Sequence, residues 1–430
     1  MFLLFGFMIG WASATRFSGR LPANGNIAAL WSTNQAPGTR PPGDINNEFS
    51  VFWEVWNLVE KEFYTQQPLD HTRMVRGAIR GMLAELDDPY TVYQEPDLAA
   101  QSQEYLQGTS EGIGASIRIA DGKAYIDKPI KGSPAVRAGL QQDDEIIAID
   151  GQDVAALIAG ADVNQATTRV AAKVRGPKGS TMSLRIRRGN AAPFQVTIAR
   201  DAVVISSVKS QMLDNGLAYI QITDFKASTT ADFDAALNDL LPHKPRGIIL
   251  DMRNNPGGYL TPAQEVLGRL YKGVALYEED GKGALKELKA LGSPPSATTF
   301  DLPMVVLVNG NSASASEIVA GALRDERPAT YLLGEKTFGK GSVQNVQPLS
   351  DGGSARITVA HWLTPKRDEI NKVGITPQYI VPYNEDPALP VPCVADRAPT
   401  TAQSTCADNQ LAWAIKLLTT GDTPPMAVAK

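Results

Sequence analysis

Histidine and cysteine are scarce: 430 residues hold three of the first, His71, His243 and His361, and two of the second, Cys393 and Cys406. No two histidines lie three or four residues apart, and two thiols cannot build an all-cysteine site. Zinc fingers and the paired-histidine metalloprotease motif are therefore excluded, and no metal is expected. A histidine-based catalytic triad has little to draw on. The chain also lacks a basic excess: 41 Lys+Arg against 46 Asp+Glu give a formal net charge of −5. Nucleic acid is not an expected partner, because binding phosphates needs a basic face. The apolar opening Met1–Gly10, MFLLFGFMIG, is about half of the roughly 20 residues that a bilayer-crossing helix requires. What remains is a globular balance, 43% hydrophobic and 20% charged, with length for two or three domains.

The apolar run ends in Trp11-Ala12-Ser13-Ala14, a small-x-small pattern like that before a signal-peptidase site. Residues 1–14 read as a signal or membrane-targeting segment, without a basic leader; a short buried strand or helix is the alternative. Residues 15–45, rich in Asn, Gly, Pro, Ser and Thr, read as a linker. Near the other end Cys393 and Cys406 flank VADRAPTTAQST. A disulfide there, closing a loop of about 14 residues, would contribute on the order of 3 kcal/mol in the chain-entropy picture. Such bonds persist outside the cytoplasm, so the expected location is extracytoplasmic, periplasmic or secreted, with membrane association left open. Two unrelated thiols in a loose tail are the alternative.

Three regions lie between. Residues 46–107 read as a helical subdomain: Phe49, Phe52, Trp53, Trp56, Val59 and Phe63 share one face, and Met74, Ala78, Met82 and Leu86 another. The second helix is expected to stop at Leu86-Asp87-Asp88-Pro89-Tyr90. The aromatic face is either core or an oligomerisation surface, so a homo-oligomer stays open. Residues 108–200 carry short β-type runs around Gly132-Ser133-Pro134-Ala135-Val136-Arg137-Ala138-Gly139-Leu140, a capped short helix, and the turn Asp150-Gly151. This G-S-P-A-x-x-A-G-L…D-x-I-x-x-I-D-G pattern looks like a PDZ domain. That resemblance makes Gly112, Ile113 and Gly114 the loop that holds a peptide's terminal carboxylate, with β-augmentation on the following strand. Residues 201–385 alternate buried strand and helix, an α/β core, and 386–430 form a tail with an amphipathic segment, Gln410 to Leu418, that could pack on the core or on a partner.

Three core segments carry chemistry. Asp251-Met252-Arg253-Asn254-Asn255-Pro256-Gly257-Gly258 runs from a strand into a glycine turn whose N–H groups can form an anion nest; an ordinary β–α turn is the alternative. In Asn309-Gly310-Asn311-Ser312-Ala313-Ser314-Ala315-Ser316-Glu317-Ile318, small neighbours expose Ser314 at a strand–helix junction, where a helix N-terminus favours developing negative charge; Ser316 as a plain helix cap competes. In Thr337-Phe338-Gly339-Lys340-Gly341-Ser342-Val343-Gln344, Lys340 is either a solvated loop lysine or a buried one that loses its proton and serves as a base.

L-D-D-P-Y, the PDZ pattern, S-A-S-A-S-E-I and T-F-G-K-G-x-V-Q occur in this order, and together they resemble the carboxyl-terminal processing protease family from about Phe49 to about Pro382. The resemblance implies a multidomain α+β chain: a crotonase/ClpP-like α/β peptidase core with an inserted PDZ domain and an N-terminal helical subdomain. It implies a serine endopeptidase acting from substrate C-termini, with Ser314 as nucleophile, Lys340 as general base and Gln344 orienting the lysine. The backbone N–H groups of Ala315 and Gly258 would form the oxyanion hole, and Arg175 would couple the PDZ ligand to activity, against the alternative of a solvated turn arginine. Protein substrates held by their C-termini are the implied partners, and no metal or organic cofactor is implied. The family form has N-N-G-G-G where Pro256 stands here, and a Ser-to-Lys interval one shorter, the extra residue falling in Asp325-Glu326-Arg327-Pro328. Two rival functions remain: a PDZ scaffold with an inactive core, and a hydratase or isomerase of acyl thioesters, which would use paired carboxylates.

Overall fold

A computed structural model of the chain describes residues 46–294, 301–395 and 405–425; the expected targeting segment 1–14 and linker 15–45 lie outside them. The chain divides into two compact units, 1–74 and 75–430.

In the first unit the Asn46–Glu62 helix brings Phe49, Phe52, Trp53 and Trp56 together, with ring centroids 5.2 to 6.1 Å apart. The rings cover one another rather than a core. None of the helix's described side chains is buried, and Trp53 stays 54% exposed. The expectation of an aromatic core is not met within this unit. The following helix, His71–Ala84, stops sooner than the spacing predicts, because Asp87 takes a left-handed φ of 50° before Pro89 is reached.

Within the second unit, Thr109–Gly112 pairs antiparallel with Asp201–Val204 and closes a small β domain at both its chain ends. Its sheet runs Ala115–Ala120, Lys123–Pro129, Glu145–Ile149, Thr181–Arg187 and Phe194–Ala199, in that order. Ser133 caps the short Pro134–Arg137 helix by accepting the Val136 N–H at 3.3 Å. Ala166, Val170 and Val174, at i, i+4 and i+8 of the Val163–Val174 helix, enter a core with Ile126, Leu184 and Ile186.

The six strands of the α/β core's sheet run Val208–Met212, Ala218–Ile222, Ile248–Asp251, Met304–Val308, Thr330–Gly334 and Tyr379–Ile380. The first pair is antiparallel and the rest are parallel. Met304–Val308 reads MVVLV and is buried at all five positions, as a strand covered on both faces must be. Alternate side chains go to opposite layers. Ile220, Leu250 and Val306 pack under the Thr229–Leu240, Leu260–Leu270 and Ala315–Glu326 helices. Tyr219, Ile249, Val305, Leu307 and Leu333 pack with Leu411 and Ala414 of the Asn409–Thr419 helix. The amphipathic tail segment therefore packs on the core. Cys393 and Cys406 are joined, S–S 2.06 Å, at the strand pair Val391↔Cys406.

A second sheet was not visible in the strand–helix alternation. Val92–Gln94, Ser354–Leu363, Val274–Asp280 and Leu285–Lys289 lie in that order, with Ser342–Pro348 also on Ser354–Leu363, all antiparallel. Two of its strands, SVQNVQP and LKELK, are polar and largely exposed, so no buried run announces them.

Candidate active site

Ser314 occupies the sharp turn between the Met304–Val308 strand and the Ala315–Glu326 helix, with φ 56° and ψ −118°. A non-glycine residue held there costs about 1–3 kcal/mol. The neighbouring serines are tied down: Ser312 Oγ donates to Met252 O at 2.8 Å and Ser316 Oγ to Asn255 O at 2.9 Å. Ser316 is thus not the cap but a rivet to the glycine turn, and Ser314 is left half-buried at the helix head. The turn is pressed against it. A Cβ on Gly257 would lie 2.7 Å from Ser314 Cβ, and one on Gly258 2.1 Å from Phe225 O, so both positions demand glycine. The Gly257 N–H donates to Asn255 Oδ1 at 2.8 Å. Gly258 is exposed and bridges to Phe225 through its neighbours, the Phe225 N–H donating to Gly257 O at 2.8 Å and the Tyr259 N–H to Phe225 O at 2.7 Å. Ala315, first in the helix, has an N–H without an intrahelical acceptor.

The glycines around Lys340 are equally constrained. A Cβ on Gly339 would lie 2.9 Å from Gly374 N, and one on Gly341 2.4 Å from Asn371 N. This close approach holds the loop, and half-buries Lys340. Its pKa is lowered from the usual 10.5, chiefly by burial and then by the Arg356 guanidinium, while Asp88 and Glu317 oppose the shift. Ser314, Ala315, Gly257, Gly258, Lys340 and Gln344 line one cavity of about 900 Å³. No hydrogen bond joins the Ser314 hydroxyl to the Lys340 amine, which rests 4.8 Å from the centroid of the Tyr90 ring. The Gln344 amide nitrogen donates to Ser342 Oγ at 2.8 Å and Thr358 Oγ1 at 3.3 Å, not to the lysine.

One residue escaped sequence reasoning. The fully buried carboxylate of Glu317 accepts the N–H groups of Ser314 (2.8 Å), Lys340 (2.9 Å) and Gly339 (2.7 Å) and the Thr337 hydroxyl (2.6 Å). It ties the serine turn to the lysine loop. The spacing Ser314-x-x-Glu317 is a capping-box pattern, and that signal could have found it.

In the small β domain, Gly112, Ile113 and Gly114 lead into Ala115–Ala120, which pairs only with Lys123–Pro129 among the described residues and so leaves an edge free. Gly114 has φ 72°, and a Cβ on it would lie 2.5 Å from Ser133 Cβ. Arg175, exposed at the end of the Val163–Val174 helix, stands beside this loop: a Cβ on Gly112 would lie 3.6 Å from its Cα. Among the described residues no group of His, Cys, Asp and Glu is arranged to hold a metal ion.

Sequence comparison places these features in a known setting. Residues 216–381 match the description of peptidase family S41, 102–187 a PDZ domain and 24–97 the N-terminal domain of activating protease CtpB. The chain is 36% identical over 343 residues to the carboxy-terminal processing protease CtpA of Bacillus subtilis (strain 168), spanning 79% of this chain and 70% of that one. It is 35% identical over 354 residues to CtpB of the same organism, 81% and 70% covered. It is also 38% identical over 335 residues to the carboxyl-terminal-processing protease of Synechocystis sp. (strain ATCC 27184 / PCC 6803 / Kazusa), 76% and 75% covered.

Proposed function

The chain belongs to the carboxyl-terminal processing proteases of peptidase family S41, serine-type peptidases with a PDZ domain, and we propose that Ser314 and Lys340 perform its chemistry. Neutral Lys340 removes the Ser314 proton, and the serine oxygen attacks the scissile carbonyl. The N–H groups of Ala315 and Gly258 hold the oxyanion; Lys340 then protonates the leaving amine and activates the water that releases the acyl-enzyme. The supporting observation is that Ser314, Lys340, Ala315 and Gly258 line one cavity, with burial lowering the proton affinity of the amine. Attack needs the Lys340 amine to leave the Tyr90 ring and come within hydrogen-bond reach of Ser314. Gln344 assists the lysine in that position. Hydrolysis of casein by wild type against Ser314→Ala and Lys340→Ala tests the assignment.

The pH dependence has a defined sign. Because the base must be neutral, kcat/KM rises with pH through the Lys340 pKa, and the lowered pKa brings that rise below the ordinary lysine range. Arg356→Gln removes a cation and is expected to move the rise to higher pH; Asp88→Asn removes an anion and moves it lower. Profiles of kcat/KM for the three proteins check this, and shifts in the same direction contradict it. Stability follows the same linkage: the unfolded chain keeps this proton up to about 10.4 and the folded chain sheds it earlier, so stability rises with pH between the two values.

The PDZ loop Gly112–Gly114 captures the substrate's terminal carboxylate, the free Ala115–Ala120 edge pairs with its last residues, and Arg175 couples capture to the active site. Amidating the C-terminus of a peptide substrate is expected to raise KM about tenfold or more, the loss of a charge-assisted interaction, and Arg175→Ala is expected to narrow that gap. Equal KM for acid and amide would reject C-terminal capture. An extracytoplasmic location is part of the proposal, supported by the Cys393–Cys406 bond. No described helix is long and apolar enough to cross a membrane. The exposed aromatic face of Asn46–Glu62 supports self-association.

A further inference from the structure

The tail that covers the second face of the core sheet also grips the residue that precedes the glycine turn. Arg253, 5% exposed, immediately precedes the Asn254–Gly258 turn. One edge of its guanidinium is held by Asp251, with Nε at 3.0 and 3.1 Å from the two carboxylate oxygens and Nη2 at 2.6 Å from Oδ2. The Tyr219 hydroxyl donates to the same carboxylate at 2.8 Å. The other edge belongs to the tail. Nη1 donates to Asp408 Oδ1 at 3.0 Å and Gln410 Oε1 at 3.1 Å, and Nη2 lies 2.9 Å from Asp408 Oδ2. Asp251, Asp408 and Gln410 have no exposed surface. Asp408 sits two residues beyond Cys406, whose disulfide to Cys393 and strand pairing with Val391 fix its approach.

Beyond Arg253 the turn continues in linked steps. The Asn254 N–H donates to Asn309 Oδ1 at 2.9 Å, Asn255 Nδ2 to Ile222 O at 2.9 Å, and the Gly257 N–H to Asn255 Oδ1 at 2.8 Å. Asp251 alone already balances the arginine's charge. A second carboxylate on the opposite edge adds orientation: a planar guanidinium gripped on both edges cannot pivot.

We infer that Asp408 is a positioning residue for peptide hydrolysis: acting through Arg253, it holds the Asn254–Gly258 turn where an oxyanion donor is needed, and the Cys393–Cys406 bond keeps it in place. The inference rests on the reading of the Gly258 N–H as that donor. The oxygen it serves is charged only in the transition state, so a displaced turn lowers kcat and spares KM.

The test is Asp408→Asn, which keeps the side-chain oxygen that caps the Asn409–Thr419 helix at the Leu411 N–H. The expected result is a kcat lowered about 10- to 100-fold, part of the 10²–10³-fold that a lost oxyanion donor costs, with KM within about twofold. A peptide aldehyde, whose adduct with Ser314 carries the oxyanion, is expected to lose affinity by the same factor. The Cys393→Ser, Cys406→Ser double variant is expected to shift kcat and aldehyde affinity in the same direction. Unchanged kcat and aldehyde affinity in folded Asp408→Asn, even with a lower Tm, overturns the inference, since the tail would then only stabilise. If Asp408→Asn does not fold, the double-serine variant decides, and wild-type kcat there overturns it. Ser314→Ala is measured in parallel: full activity in that variant rejects the catalytic assignment itself. An inactive Ser314→Ala beside an unaltered Asp408→Asn rejects the role of Asp408 alone.

Discussion

Alanine at Ser314 lowers kcat on casein or a tagged peptide by about 10⁴-fold or more, and alanine at Lys340 does the same, as losses of nucleophile and base do in other serine peptidases. The double variant is expected to be no worse than either single one, because the two groups act as a unit. Both variants are expected to stay folded, Ser314→Ala giving up at most the N-cap contribution to the Ala315–Glu326 helix, about 0.5–2 kcal/mol. Ser314 keeps its strained φ of 56° as alanine, and removing Lys340 takes away an amine whose charged form burial disfavours. Kinetics paired with thermal melts check this; near-normal hydrolysis in either variant rejects the assignment. Lys340→Arg makes a sharper comparison, since arginine supplies the charge and length without ever giving up its proton at working pH.

Glu317→Gln gives the opposite pairing, a loss of both rate and stability. The carboxylate accepts two N–H groups on one oxygen, from Ser314 and Lys340, and a hydroxyl and an N–H on the other, from Thr337 and Gly339. An amide offers one acceptor and one donor, so the nitrogen faces N–H groups or a hydroxyl wherever it points. In the less costly orientation the Thr337 hydroxyl turns to accept from the amide and one buried N–H is orphaned, at about 1–3 kcal/mol; in the other two are, at about 2–6 kcal/mol. The serine turn and the lysine loop then lose their common anchor, and kcat is expected to fall at least about 10²-fold, since small misplacements at a reacting centre cost that much. Urea unfolding with steady-state kinetics reads both effects. Wild-type values for both contradict the anchoring role, and a stability loss with normal kcat leaves Glu317 as a packing element only.

Much of the core was readable because its signals are local. MVVLV at Met304–Val308 matches its strand to the residue, and the apolar spacing of Phe233, Leu237 and Leu240 marks the Thr229–Leu240 helix. Small residues around Ser314 announced an exposed turn. Signals that depend on distant partners were silent. The antiparallel sheet beside the lysine pairs Val92–Gln94 with residues about 260 positions away, and its strands SVQNVQP and LKELK carry no apolar run that separates them from loops. Nothing near Arg253 points to Asp408, 155 residues on. The aromatic stripe of Asn46–Glu62 was correctly helical, yet periodicity states which side chains share a face and not what covers it. For Gln344 the sequence supplies the position on the strand but not the direction of its amide, which faces Ser342 and Thr358.

The placement of the Asn409–Thr419 helix has a consequence for biosynthesis. Tyr219, Ile249, Val305, Leu307 and Leu333 find their cover in Leu411 and Ala414. A nascent chain that has completed the Ala218–Ile222 strand must add 197 further residues (419 − 222) before that helix is made. At about 5–20 residues per second, the interval is on the order of 10–40 s, during which one greasy surface of the sheet has no lid of its own. Completion of the peptidase core therefore waits on the Asn409–Thr419 helix, and a chain cut short of Asn409 keeps that face uncovered.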